Sequence, residues 1–231
     1  MHSATAEASA VLDRVIRSRK SVRFFRPDPV PKATLEEILE IARAAPSNFN
    51  SQPWRVHVLA GARKRALGEA MLAAHVASRV PPFTPFPEAK PAECAARVGE
   101  FGRRLYTAMG VDRSDVAARA RVSGRNFIFF DAPVGLIFTI HAALTKHSWL
   151  DCGLFVQNVM LAAQVRGLAT CPQVSFVRFQ SLIAEQLGLG PDELVTCGIS
   201  LGYEVEQHPV NELNMPREPL ETFTRWLGFD E

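Results

Sequence analysis

Three cations and a hydroxyl fall within five positions in the run Arg19-Lys20-Ser21-Val22-Arg23, a supply of charge and donors that suits a phosphate dianion. Cations also complement the C-terminal end of a helix, and a helical pattern ends just before this run, so the residues alone leave both readings open. A second grouping, Pro46-Ser47-Asn48-Phe49-Asn50-Ser51-Gln52-Pro53-Trp54, sets five amide or hydroxyl side chains between a helix stopped by proline and a strand. Such side chains hydrogen-bond a polar heterocycle or a polyol chain, and ordinary turn chemistry accounts for them equally well. Gly198, Ser200 and Gly202 satisfy G-x-S-x-G, the pattern of a hydrolase nucleophile elbow. That elbow needs a sharp turn into a helix, then an acid and a histidine; here the run continues as strand, with only His208 downstream. Small residues packed inside a core strand are the preferred reading. No P-loop and no dinucleotide-binding glycine fingerprint occurs, so a nucleotide would have to be held by other means. His141, His147 and Asp151 straddle a strand end and a helix start without ligand-like spacing, and a capping or solvated role is expected of them.

The elements that must position these groups follow from periodicity. Ala8, Val11, Leu12, Val15 and Ile16 recur at helical spacing over residues 7–17. Thr34 and Glu37 stand in a capping-box arrangement ahead of Leu35, Ile38, Leu39 and Ala42, predicting a second helix that runs until Pro46. Trp54, Val56 and Val58 alternate with Arg55 and His57 as in a half-buried strand. Residues 62–79 read as helix, and five prolines between Pro81 and Pro91 then enforce a surface loop. Helical patterns at about 92–109 and 112–126 lead into the apolar run from Pro133 to Ile140, a buried central strand. Ser148 with Asp151 is placed to cap a long helix that ends at Gly167, and a further helix over about 177–187 ends at Gly188. Leu194 to Tyr203 reads as a second buried strand, and the polar tail closes on Trp226, Leu227 and Phe229. Helices come first and strands arrive singly, which predicts an α+β fold in one domain spanning residues 1–231.

Bulk composition excludes several classes. The chain has 26 basic and 24 acidic residues, net +2, so nothing in the balance calls for nucleic acid. Cys94, Cys152, Cys171 and Cys197 form no CxxC pair, which fits neither a disulfide framework nor a zinc site and predicts a reducing, cytoplasmic setting. No secretory signal is expected from the first ten residues, and the most apolar stretch is too short to cross a bilayer.

Taken together, the segments RSRKSVRFF, APSNFNSQPW, FFDAP, WLDCGLFVQNVMLAA, GLATCPQ, LGLGPDELVTCGISLGY and NMPREPLE resemble the nitroreductase family of FMN flavoproteins, most closely its nitrobenzoate and dinitroaniline reductase group. The resemblance covers nearly the whole chain. It implies a two-layer α+β sandwich, with a central, mostly antiparallel sheet flanked by helices, in an intertwined homodimer that holds FMN at the subunit interface. Arg19, Lys20 and Ser21 would hold the phosphate and ribityl end together with Arg217. Met215 stands where some relatives carry lysine, so the grip would lean on the N-terminal run. Pro46, Ser47, Asn48 and Asn50 would reach the flavin of the opposite subunit. Pro172, Gln173 and Val174 match the turn whose backbone amide faces flavin N5, and Asn126, with Arg125 as competitor, matches the contact to the pyrimidine edge. No catalytic side chain is implied, since the flavin carries the chemistry and takes electron pairs from NADPH or NADH by ping-pong hydride transfer.

The implied reaction is reduction of nitroaromatic compounds to nitroso and hydroxylamino products. The same fold and cofactor would also serve a dehalogenase, a quinone or enone reductase or a flavin-fragmenting enzyme, and a flavin sensor without turnover is a further alternative. Residues 81–126 would form a helical cover beside the flavin. Between Ala92 and Asn126 seven arginines face four acids, so one or more of Arg103, Arg104 and Arg121 is a candidate to meet an anionic group of the acceptor or the nicotinamide donor; a solvated helix face explains the excess as well. Phe83, Phe86, Phe101 and Tyr106 are candidates for the wall on which an aromatic acceptor stacks.

Overall fold

The computed structural model describes residues 2–77, 90–112, 114–144 and 146–229. Four strands, β1 (Arg55–Ala60), β2 (Val134–His141), β3 (Ala169–Gln173) and β4 (Glu193–Gly202), make one antiparallel sheet in the order β1-β2-β4-β3. The two central strands are buried almost end to end because helices cover both faces of the sheet. On one face α2 (Lys32–Ala42) and α6 (Lys146–Val165) pack Leu35, Ile38, Phe155 and Val159 against Leu136, Phe138, Ile140, Ile199 and Leu201. On the other, α3 (Gly61–Val76) and α7 (Gln180–Leu187) bring Leu67, Met71 and Ile183 to Leu59, Ile137 and Val195. The remaining helices are α1 (His2–Ser18), α4 (Ala92–Ala108) and α5 (Val116–Gly124). This is the α+β architecture that the element order implies, with both predicted buried strands in the centre of the sheet.

Four local expectations are corrected. Thr34 does not cap α2: the helix begins at Lys32 after Pro31, whose carbonyl already takes the Thr34 and Leu35 amides, so Thr34 lies inside the first turn. Ser148 and Asp151 do not cap α6, which starts at Lys146; both are buried, and the Asp151 carboxylate instead accepts the Asn48 amide across the structure (3.2 Å). The helix expected over 177–187 begins only at Gln180, after a 3₁₀ turn over Val174–Phe179, though it ends at Gly188 in the left-handed conformation as expected (φ 66°). Strand β3 was not expected, because Pro172 breaks its pattern; it is tolerated because β3 is an edge strand that needs no donor on its outer side. Residues 81–89 of the proline-rich loop lie outside the described residues, and its last proline, Pro91, precedes α4.

The G-x-S-x-G run is the core of β4. A Cβ on Gly198 would come within 2.3 Å of the Phe176 ring, and one on Gly202 within 2.5 Å of Pro133, so both glycines are space for neighbouring side chains. Ser200 is fully buried and donates its hydroxyl to Gln173 Oε1 (2.6 Å). Neither a turn nor an exposed nucleophile is present there. Gly198→Ala is expected to cost about 1–3 kcal/mol by overpacking, read as a lower Tm; an unchanged Tm would mean that Phe176 can move aside freely.

Candidate functional site

After α1 the chain runs extended along the outer edge of β3. Val22 N donates to Thr170 O (3.0 Å), and Ser21 bridges Thr170 in parallel. Val22 and Phe25 enter the core beside Ala169 and Cys171, while Arg19, Lys20, Ser21 and Arg23 line a trough of about 840 Å³. Its other walls come from far along the chain: Gln157 of α6, Phe101 of α4, and Asn214, Met215 and Arg217 near the C-terminus. The two ends of the sequence that were expected to cooperate therefore meet.

The buried side chain of Asn211 makes this junction. Its Oδ1 accepts from the amides of Arg23 (2.9 Å) and Phe24 (3.2 Å), and its Nδ2 donates to the carbonyls of Phe24 (2.8 Å) and Val205 (3.1 Å). Sequence reading missed Asn211, and nothing in an Asn-Glu-Leu-Asn stretch distinguishes a buried four-bond clamp from a solvated amide. It also left Arg23 off the list of contacts, although the alternation of an extended segment sets Arg23 on the same side as Ser21.

Charge in the trough is unbalanced. Arg19 is half-buried and its Nη1 is buried without a hydrogen-bond partner. Burial, and then the nearby Arg217, lower its pKa, so this guanidinium is held where no protein group satisfies it. Lys20 is different: its ammonium lies 2.8 Å from Glu204 and 3.2 Å from Glu212, and although burial opposes it, the bonds to these carboxylates raise its pKa. The Lys20 charge thus ties the C-terminal stretch to the end of β4, while Arg17, Arg19, Arg23 and Arg217 line the trough with no ion pair among the described residues.

The expected contacts from other segments are distributed as follows. Pro46, Ser47, Asn48 and Asn50 do not line the trough of their own chain. They form a turn in which Phe49, Asn50 and Gln52 have positive φ (49°, 57° and 45°), with Phe49 97% exposed, a strained and projecting conformation for non-glycine residues. The turn is held by the Asp151 carboxylate on Asn48 N and by Ser47 Oγ accepting from Gln52 N (3.0 Å). Pro172, Gln173 and Val174 leave β3 toward the 3₁₀ turn. The Gln173 side chain is turned inward, accepting from Ser200 and donating to Asn126 Oδ1 (3.1 Å), while Val174 is exposed. Asn126 in turn donates to Ser175 Oγ. The competitor Arg125 is stacked on Phe24 (3.9 Å) and paired with Asp131 (3.1 Å).

These positions depend on a turn that the sequence did not disclose. Phe129, Phe130 and Asp131 all have positive φ (58°, 51° and 64°), three left-handed residues in succession at a cost of roughly 1–2 kcal/mol each. The Arg125–Asp131 pair and the buried Lys64 ammonium, which donates to Ala132 O, hold the turn.

Several arginines of the cover are paired with carboxylates of the chain. Arg103 and Arg104 both bind Glu100, whose carboxyl is held at about 2 by hydrogen bonds from Arg103 and Arg104. Arg97 pairs with Glu218 (3.1 Å), and Arg104 also donates to Asn214 O (3.3 Å), so α4 braces the C-terminal stretch. Arg121 is exposed and lines neither the trough nor the cavity beside it. Phe101 lines both, and Tyr106 lines that second cavity; Phe83 and Phe86 lie outside the described residues. Among the described residues no helix is long and apolar enough to cross a membrane.

Comparison with known proteins agrees with this geometry. The Nitroreductase family pattern matches residues 16–203. A 4-nitrobenzoate reductase of Pseudomonas putida is 50% identical, over 94% of this chain and 96% of its own length. A chloronitrobenzene nitroreductase of Comamonas testosteroni is 40% identical, over 95% and 98%. The FMN-dependent nitroreductase NfnB of Mycobacterium smegmatis, solved in complex with NADPH, superposes with a TM-score of 0.91 at 32% identity, covering 95% of this chain and 99% of that one. With the fold, the trough and the sequence match in agreement, the chain belongs to the nitroreductase family.

Proposed function

We propose that the protein is an FMN-dependent NAD(P)H oxidoreductase that reduces nitroaromatic compounds. The observation that carries this reading is Arg19: a buried guanidinium N–H without a partner, facing a second cation, is a site waiting for an anion. The residues fit FMN. The trough volume is within the usual range for a cofactor site, Arg19 and Arg217 would hold the phosphate, and Ser21, Arg23, Gln157 and Asn214 offer donors and acceptors to the ribityl chain and the ring edge. FMN, when bound, supplies the electron-pair chemistry, so the chain has only to hold, orient and leave one ring face open. Relatives named for 4-nitrobenzoate and chloronitrobenzene reduction, and one structure solved with NADPH, support the acceptor and donor classes.

The reading includes a homodimer in one single-domain fold over residues 1–231, with residues 81–126 as the cover of the site. Support comes from apolar surface on α1 (Val11, Leu12 and Ile16) and from Phe223, Trp226, Leu227 and Phe229, all 60% exposed or more, in a tail that a lone subunit leaves in water. The projecting Phe49 turn then has an opposite subunit to reach, where Pro46, Ser47, Asn48 and Asn50 would meet the second flavin. Four free cysteines fit a cytoplasmic setting.

Anaerobic mixing tests this directly. Purified protein is expected to carry yellow FMN, lose its colour with NADPH or NADH, and regain it on addition of nitrobenzene, with sedimentation as a dimer. A colourless monomer that rejects added FMN would overturn the proposal, and so would a reduced protein that nitroarenes leave reduced.

A further inference from the structure

Beside the trough lies a second cavity of about 300 Å³, sharing Arg23 and Phe101 with it and closed by α4, α5 and the 3₁₀ turn over Val174–Phe179. Five aromatic residues line it: Phe24, Phe101, Tyr106, Phe127 and Phe130. Among the described residues its charged lining is three arginines, Arg23, Arg125 and Arg178, with no carboxylate. Two of these are occupied. Arg125 is paired with Asp131 and stacked on Phe24, and Arg23 donates to Ser21 O (2.9 Å) and stacks on Phe101 (5.1 Å).

Arg178 is the exception. It is half-buried and makes neither a hydrogen bond nor an ion pair among the described residues. The neighbouring His75 responds to that charge: burial first, and Arg178 second, lower its pKa. Ser175 stands three residues earlier on the same 3₁₀ turn, and residues at that spacing eclipse one another on a 3₁₀ helix. Its Oγ already accepts from Asn126, so its own hydroxyl proton is left to donate. A guanidinium and a hydroxyl therefore share one face of a turn, inside a cavity whose other lining is largely aromatic and aliphatic, with Asn126 and the two occupied arginines beside them.

We propose that this cavity seats an aromatic carboxylate, with the acid group on Arg178 and Ser175 and the ring among the phenylalanines. The ring would sit next to the trough, so the proposal rests on the nitroaromatic reading and narrows it to acceptors of the nitrobenzoate kind. A cavity at the small end of the range for ligand sites takes one ring and a monoanion; a nucleotide phosphate brings a ribose and a larger polar surface that these walls do not match.

The test uses FMN-loaded enzyme. Benzoate, which cannot be reduced, is titrated calorimetrically into the wild type and into Arg178→Met and Arg178→Lys, and kcat/KM is measured for 4-nitrobenzoate and nitrobenzene. Arg178→Met is expected to weaken benzoate binding about 10- to 100-fold and to lower the 4-nitrobenzoate to nitrobenzene ratio of kcat/KM by a similar factor, with partial recovery in Arg178→Lys. Unchanged benzoate binding overturns the proposal. It is equally overturned if the variant raises KM for NADPH instead, or sheds FMN, since Arg178 would then serve the donor or the flavin. Should the enzyme reduce no nitroarene at all, the functional reading fails, and the benzoate titration still decides the cavity.

Discussion

Arg19→Met is expected to weaken FMN binding about 10- to 150-fold, as loss of a charge-assisted hydrogen bond to phosphate worth about 1.5–3 kcal/mol. The same substitution should leave the flavin-free protein as stable as before, or more stable. These opposite signs follow from one geometry. In the chain alone the Arg19 guanidinium is desolvated, repelled by Arg217 and short of a partner at Nη1, so removing it relieves a cost; methionine keeps the apolar stem. With FMN present the same group satisfies an anion. Ligand linkage converts a 100-fold loss of affinity into about 2.7 kcal/mol less stabilisation at saturating FMN, so the Tm increment on adding FMN should shrink by roughly 5–10 °C. Fluorescence titration of FMN and paired melting curves read both halves. If the FMN affinity stays within twofold of wild type, the phosphate is held elsewhere in the trough. Arg19→Lys should recover part of the affinity, because it restores the charge without the two-pronged donor.

What the sequence disclosed, and what it did not, divides along a physical line. Local patterns with a strong period were legible: the apolar run of β2, the β4 strand under its G-x-S-x-G disguise and the Gly188 helix end follow from side-chain spacing that neighbours enforce. Arg19 and Arg217 could be paired only because a family resemblance linked them, since 198 positions of sequence separate two groups that the fold brings to one trough. Features fixed by tertiary partners were invisible. The left-handed Phe129–Asp131 turn contains no glycine to announce it, and its cost is offset by Lys64 and Arg125, from different elements. The arginine excess in the cover left an anion site and a solvated helix face equally open, because sequence shows net charge and not pairing. Glu218 pairs with Arg97 and Glu100 is shared by Arg103 and Arg104, while Arg178, outside that region, lines the second cavity without an acid or a hydrogen-bond partner among the described residues.

Asn211→Ala is expected to be the most damaging single change outside the central core, costing about 3–5 kcal/mol. Its four hydrogen bonds join the segment after α1, the end of β4 and the C-terminal stretch, of which the first two are otherwise linked by the isolated Phe25–Glu204 bridge and the backbone bonds from Arg26 N to Tyr203 O (2.8 Å) and from Val205 N to Phe24 O (3.0 Å). Truncation leaves the Arg23 and Phe24 amides and the Val205 carbonyl without side-chain partners in a partly buried site, and each such group costs about 1–3 kcal/mol, offset where water can enter. For a chain of this length the predicted loss corresponds to a Tm lower by roughly 6–20 °C. Asn211→Asp separates clamp from packing: it keeps both acceptor bonds but turns a carboxylate oxygen toward the carbonyls of Phe24 and Val205, where Nδ2 now donates, and adds negative charge beside the proposed phosphate site. It should therefore melt below wild type and bind FMN more weakly than its stability loss alone explains. A Tm within 2 °C of wild type for Asn211→Ala, together with unchanged FMN affinity, would mean that Lys20, bridging Glu204 and Glu212, suffices to hold the two ends of the chain together without the amide.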